Sequence, residues 1–157
     1  KKYSSAEYHN LDIYQINTTF YSALGDDDQK YFMARLLQVF APGIPQVYYV
    51  GMLAGKNDLE LLEKTKEGRN INRHYYSRQE VAEEVKRPVV SSLLKLFTFR
   101  NTEPAFDLDG SIEISTPNEN EIQIIRKNKE QTSQAELKAN LKDLTYQVVV
   151  NDKEVKF

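Results

Sequence analysis

Pro42-Gly43-Ile44-Pro45-Gln46-Val47-Tyr48-Tyr49-Val50-Gly51 is the stretch that decides how the rest of the chain is read. Pro42 and Gly43 stop the helix that precedes them: proline brings no N–H, and glycine accepts the left-handed backbone on which helices end. Gly43-Ile44-Pro45 makes a tight turn. Gln46 to Val50 is then an apolar and aromatic run without polar alternation, which predicts a strand covered on both faces, as in a parallel sheet. Upstream, Gly25-Asp26-Asp27-Asp28 supplies an N-cap and an acidic first turn, each charge favoured by the helix dipole by roughly 0.3 to 1 kcal/mol. Phe32, Leu36 and Phe40 share one face, with Met33 and Leu37 beside them, so a helix is predicted over about Asp27 to Phe40. Helix, tight turn and buried strand together predict an α/β fold. Gly51 to Gly55 becomes the loop at the strand's C-terminal end, the side on which α/β barrels carry their active sites.

Farther along, Asn57 and Glu60 stand at capping-box spacing around Leu59, Leu61 and Leu62, and Gly68 closes the short helix they predict. Arg69-Asn70-Ile71-Asn72-Arg73-His74-Tyr75-Tyr76 has neither a helical nor a strand period and reads as a loop. Ser77 and Glu80 form a full capping box, and Pro88 suits the start of a further helix, because its missing N–H would have no partner there. Val89, Val90, Leu93, Leu94 and Phe97 mark the buried face of that helix as far as about Arg100. On the N-terminal side, Leu11 to Leu24 mixes Ile13, Ile16, Thr18, Thr19, Phe20 and Tyr21, a composition that leans towards extended structure. Past Pro104 the pattern changes. Ser111 to Ser115 alternates, Glu121 to Arg126 is strand-like and Thr145 to Val150 is β-branched, with turns at Asp109-Gly110, Asn128-Lys129 and Asn151-Asp152, so a small antiparallel β module is predicted.

The 157 residues suffice for one ordinary domain, or for a piece of a larger one joined to a small module. Hydrophobic residues at 40% and charged residues at 28% are the composition of a chain that folds in water. Twenty-one basic residues against 23 acidic ones leave a charge of −2 with no basic stripe, so no nucleic-acid partner is expected. With no cysteine there is neither a disulfide framework nor a thiolate metal site, which fits a reducing cytoplasm. No apolar run of about 18 residues is present, so no membrane span is expected either.

The α/β part resembles the sucrose phosphorylases, a family of the α-amylase-like glycoside hydrolase clan. The likeness covers residues 10 to 104. It rests on Asn10-Leu11-Asp12-Ile13-Tyr14-Gln15-Ile16-Asn17, Phe20 to Gly25, Pro42 to Gly51, Leu53-Ala54-Gly55-Lys56-Asn57-Asp58, and Gly68-Arg69-Asn70-Ile71-Asn72-Arg73-His74-Tyr75-Tyr76-Ser77. The last two motifs are the specific ones; the clan as a whole has something like Pro42 to Gly51. The resemblance implies an α/β plus β architecture. Residues 1–104 would end a (β/α)8 TIM barrel, with the loop after strand 7, helix 7, strand 8 and helix 8, and residues 105–157 would form a C-terminal antiparallel β domain.

The family's reaction converts sucrose and phosphate to α-glucose 1-phosphate and fructose with retention, without an organic cofactor or metal. That chemistry needs a nucleophilic carboxylate and an acid/base carboxylate about 5 to 5.5 Å apart. The resemblance places these upstream of residue 1, so no catalytic residue is expected in this chain and none of its activity without the upstream barrel portion. What it would contribute is binding. Leu11 to Gln15 resembles the mobile loop over the fructose and phosphate side of the pocket. Asp12 would accept from a sugar hydroxyl but repel a phosphate dianion, and Tyr14 and Gln15 offer an apolar ring face and an amide suited to sugars. Arg69 resembles the arginine that grips the glucosyl hydroxyls, a role its fixed fork of donors suits.

Plainer roles are weighed beside these. His74, without a carboxylate motif near it in sequence, reads as a hydrogen-bonded structural residue rather than a base. Tyr48 and Tyr49 read as packing, Asp26 to Asp28 as helix capping rather than a calcium loop, and Asp58 and Glu60 as servants of the short helix. A non-catalytic fragment that binds carbohydrate or assembles with itself is the alternative, as is a related glucosyltransferase or hydrolase of the clan. One or two barrel strands leave open backbone edges, so oligomerisation or dependence on an upstream chain is expected.

Overall fold

Caps and turns set the element boundaries in the computed structural model, which describes residues 16–157. Among the described residues six α-helices form: α1 (Phe20–Ala23), α2 (Asp28–Phe40), α3 (Tyr49–Met52), α4 (Leu59–Thr65), α5 (Arg78–Glu84) and α6 (Pro88–Thr102). Two 3-10 turns, Gly68–Asn72 and Pro104–Phe106, interrupt the connections. Five strands follow: β1 (Ser111–Asn118), β2 (Glu121–Lys127), β3 (Gln134–Asn140), β4 (Thr145–Val150) and β5 (Lys153–Val155). They pair antiparallel in sequence order as one meander. No helix among the described residues is long and apolar enough to cross a membrane.

The chain divides into two compact units. One takes the described residues up to Tyr31 and Val47–Val90; the other takes Phe32–Gln46 and Ser91–Phe157. The first is organised by helix starts. Thr19 Oγ1 accepts from Ser22 N at 3.0 Å, so Phe20–Ala23 is helical where an extended chain was expected. A local cap outweighs the weak β preference of these residues. Residues 11–15 of that predicted stretch lie outside the described residues. Asp27 accepts from Gln29 N and Lys30 N, both at 3.0 Å, and starts α2 as its acidic cluster predicts. The bond from Lys30 N holds the Asp27 carboxyl below its ordinary value. Behind these caps Tyr31 is fully buried, with Phe20 and Tyr21 set edge-on against its ring at 5.5 and 5.2 Å.

The strand predicted over residues 46–50 does not form. Gln46 to Tyr48 is irregular and Tyr49 opens α3. A strand needs a neighbour for its N–H and C=O groups, and every strand among the described residues belongs to the sheet past residue 110. The main chain bonds locally instead, Met52 N to Tyr48 O at 3.0 Å and Gly55 N to Val50 O at 2.8 Å. Tyr48 and Tyr49, read as packing, are 54% and 38% exposed. Two smaller corrections follow from capping. Asp58 rather than Asn57 caps α4, accepting from Leu61 N at 2.8 Å, because its carboxylate stands one residue nearer the first turn. Lys66, in the left-handed conformation, ends α4 before Gly68 is reached. The capping box is as predicted, with Ser77 N donating to Glu80 Oε2 at 2.6 Å and Glu80 N to Ser77 Oγ at 3.2 Å.

The second unit is built on the sheet. Ile124, Leu137 and Val148 sit opposite one another on β2, β3 and β4, none more than 3% exposed, and form a continuous apolar row across three strands. Ala135 and Ala139 flank Leu137 on the same face, as the two-residue period of a strand requires. Strand β3 forms although its Gln, Ala, Glu, Leu and Lys lean towards helix. Asn151 and Asp152, both at positive φ, make the two-residue turn that joins β4 to β5. Gly110 must be glycine, because a Cβ there would meet the carbonyl of Lys127 as β1 closes on β2. Phe40, Phe99 and Phe106 form an edge-on cluster, Phe106 lying 5.0 Å from Phe40 and 5.3 Å from Phe99.

Two arginines bracket that cluster. Arg126, 4% exposed, donates from Nη1 to Ala41 O at 3.0 Å and from Nη2 to Asp107 O at 3.4 Å. Arg100 donates to Phe106 O at 3.2 Å and Gly43 O at 3.1 Å. Burial lowers the pKa of both, with the neighbouring Arg126 charge adding to the effect at Arg100. The Nε of each is buried with no hydrogen-bond partner among the described residues.

Candidate functional site

The two specific motifs, Leu53 to Asp58 and Gly68 to Ser77, come together within the first unit. Asn57 is the joint on one side. Its Oδ1 accepts from Thr19 N at 2.7 Å, its own N–H donates to Ser22 Oγ at 3.0 Å, and Asn72 Nδ2 reaches Thr18 O at 3.4 Å. Asp58 is the joint on the other. Besides capping α4, it donates its N–H to Ile71 O at 2.7 Å and faces His74 Nδ1 with Oδ2 at 2.6 Å. Gly55 leaves the space that Tyr76 fills, since a Cβ there would run into the Tyr76 hydroxyl and Val50. Arg87 supports the same loop from below, donating to Leu53 O and Ala54 O, both at 3.3 Å, and pairing with Glu84 at 2.5 Å.

His74 stands between two carboxylates, with Nε2 3.2 Å from Glu80 Oε1. Its pKa is raised, first by the hydrogen bond to Asp58 and then by that to Glu80, against the opposing effect of burial. Tyr49 Oη donates to His74 O at 2.8 Å, and the Tyr76 ring lies 4.5 Å from the imidazole. Burial pushes both phenols up to about 12, so they are neutral donors at ordinary pH. Beside them opens a groove of about 730 Å³ lined by Tyr48, Tyr49, Met52, Arg73, Tyr75 and Tyr76, among others. An aromatic-walled groove with one guanidinium can stack on the apolar face of a sugar ring and donate to its oxygens.

Of the four residues singled out from sequence, Arg69 is the one described. It is exposed on the 3-10 turn Gly68–Asn72, outside the lining of the aromatic groove. Asp12, Tyr14 and Gln15 lie outside the described residues. The structure adds the Asp58–His74–Glu80 arrangement. Its partners are 16 residues before and 6 after the histidine, and no local motif joins them.

No protein-family model matches the chain. It is 70% identical over all of its 157 residues to a sucrose phosphorylase of Streptococcus mutans, spanning 33% of that protein. It is 56% identical over 128 residues, 82% of the chain, to a sucrose phosphorylase of Bifidobacterium adolescentis, spanning 25% of it. Among solved structures, a crystal structure of sucrose 6F-phosphate phosphorylase from Thermoanaerobacter thermosaccharolyticum superposes over 91% of the chain with a TM-score of 0.83 and 46% identity, the match covering 29% of that protein. The chain is homologous to the C-terminal region of sucrose phosphorylases. It spans about a third or less of the length of the relatives it matches.

Proposed function

We propose that this chain is the C-terminal part of an enzyme that transfers glucose from sucrose to phosphate, releasing fructose and forming α-glucose 1-phosphate by retaining double displacement. The observation that carries the reading is 70% identity to a sucrose phosphorylase without a gap in coverage of the chain. Residues 1–104 would complete a (β/α)8 barrel whose earlier staves and catalytic carboxylates belong to the upstream portion, with residues 105–157 as the closing β domain. Segment 46–50 would become the eighth barrel strand once neighbours are present to take its main-chain bonds. Arg69 would donate to the glucosyl hydroxyls from its exposed turn. Asp12, Tyr14 and Gln15 would serve the acceptor side, Asp12 turning towards fructose and away from phosphate. The reaction so drawn uses no cofactor, and the enzyme works in the cytoplasm. Asp58 and Glu80, both hydrogen-bonded to the His74 ring, would serve the loop rather than the chemistry.

The test joins this chain to the upstream portion of the Streptococcus mutans relative and measures phosphate-dependent release of glucose 1-phosphate from sucrose. Activity in the joined protein, none in the chain alone, and a loss of at least about tenfold in kcat/KM for Arg69→Ala are expected; tenfold corresponds to about 1.4 kcal/mol. A correctly folded joined protein that leaves sucrose untouched overturns the proposal.

A further inference from the structure

We propose that His74 is a positioning residue: as an imidazolium held between Asp58 and Glu80, it clamps the turn that carries Arg69, and it releases that turn when it loses its proton. The geometry makes the protonated form necessary. Both ring nitrogens face carboxylate oxygens, Nδ1 at 2.6 Å and Nε2 at 3.2 Å, and a carboxylate can only accept. A neutral imidazole carries one N–H, so one of the two contacts would set a lone pair against a negative oxygen. The Glu80 contact is the longer and the more exposed of the two.

The clamp reaches Arg69 through Asp58. That residue binds Ile71 O with its N–H and His74 with its side chain, so it closes the stretch between them into a ring of contacts. Asn70 ties the head of the same turn to Thr65 Oγ1 at 3.0 Å, and Ile71 is buried beneath it. Arg69 stands on the same 3-10 turn, two residues before Ile71. The titratable groups that face His74 are Asp58 from the start of α4, Glu80 from α5, Tyr49 from α3 and Tyr76 of its own segment. The two phenols, pushed up to about 12, stay neutral at ordinary pH, which leaves the imidazole, raised by its carboxylate partners, as the group here that loses its proton first as pH rises. Each carboxylate also begins a helix, Asp58 that of α4 and Glu80 that of α5, so one proton fastens two helix starts to one loop.

The inference rests on the proposed sugar-binding role of Arg69 for its consequence in catalysis, and on the structure alone for the clamp. Nuclear magnetic resonance of the 157-residue chain separates the two. The chain has two histidines, so a His9→Gln variant assigns the ring signals. Expected are two ring N–H signals for His74 at neutral pH, a titration midpoint above that of an ordinary histidine, and Gly68–Asn72 amides that shift with the same midpoint. Glu80→Gln keeps the capping box, which accepts glutamine, and is expected to lower both midpoints together. Amides of the turn that ignore the titration of His74, or a midpoint unmoved by Glu80→Gln, overturn the clamp. In the protein joined to its upstream portion, KM for sucrose is then expected to rise with pH through the His74 midpoint while kcat holds. A flat KM with the amide result intact leaves the clamp standing and removes Arg69 from sugar binding.

Discussion

The two units hold themselves together by different means. The sheet unit does so with buried apolar area: Ile124, Leu137 and Val148 form a row no member of which is more than 3% exposed, and Phe40, Phe99 and Phe106 form an edge-on cluster in the same unit. The helical unit buries Tyr31, Leu62 and Val90 as well, but its loops are fastened by polar joints. Asn57, Asp58, His74 and Arg87 fasten loops to helix starts, while Tyr48 and Tyr75 remain 54% and 72% exposed. An apolar core resists most surface change but tolerates little loss of volume. A unit fixed by named hydrogen bonds has the opposite profile, and it keeps aromatic surface free for other work.

Leu137→Ala tests the sheet side hardest. It opens a cavity in the centre of the row and is expected to cost about 2 to 5 kcal/mol in a urea titration; a loss below about 1 kcal/mol would show that the row is not the core. Gly55→Ala is the largest expected effect in the helical unit, roughly 1 to 3 kcal/mol, because the added methyl must displace Tyr76 or Val50. Asp58→Ala removes the cap of α4 and is expected to cost about 0.5 to 2 kcal/mol before the lost His74 contact is counted, with Asp58→Asn recovering the capping part. At the small end, Tyr75→Ser should stay within about 0.5 kcal/mol of the parent, since the ring is largely in water. If it matched Leu137→Ala, the contrast between the units would be lost.

The contrast has a pH dependence as well. His74 has its pKa raised in the folded chain, so its contribution to stability is full below the unfolded value near about 6.5 and fades as pH rises through the folded value. The stability gap between the parent and His74→Gln should therefore be widest near pH 6 and narrow towards pH 9. The deficit of Leu137→Ala should be the same at both ends. Equal slopes for the two variants would separate His74 from any titration.

How much of this the sequence reveals follows the same division. Strands β1, β2 and β4 declare themselves through alternation and β-branched residues, and the Ser77 capping box through its spacing, because these signals are local. Strand β3 hides behind helix-forming residues; the placing of Ala135, Leu137 and Ala139 every second position is the signal that finds it. The run at 46–50 has the composition of a buried strand but lacks a partner strand among the described residues, and composition cannot supply one. His74 looks alone in sequence because its two carboxylates arrive from different helices. Arg69 is singled out by its motif alone, and its exposed turn gives no packing signal of its own.

The acceptors chosen by Arg100 and Arg126 carry a consequence for handling the molecule. Four main-chain carbonyls take their hydrogen bonds, and a carbonyl has no proton to gain when a solution turns sour. Acidification that unfastens carboxylate partners leaves these four acceptors unchanged. Acid reaches the β half instead through carboxylates such as Asp107, which accepts from Lys129 N at 3.1 Å and is held below its ordinary value by its main-chain hydrogen bonds.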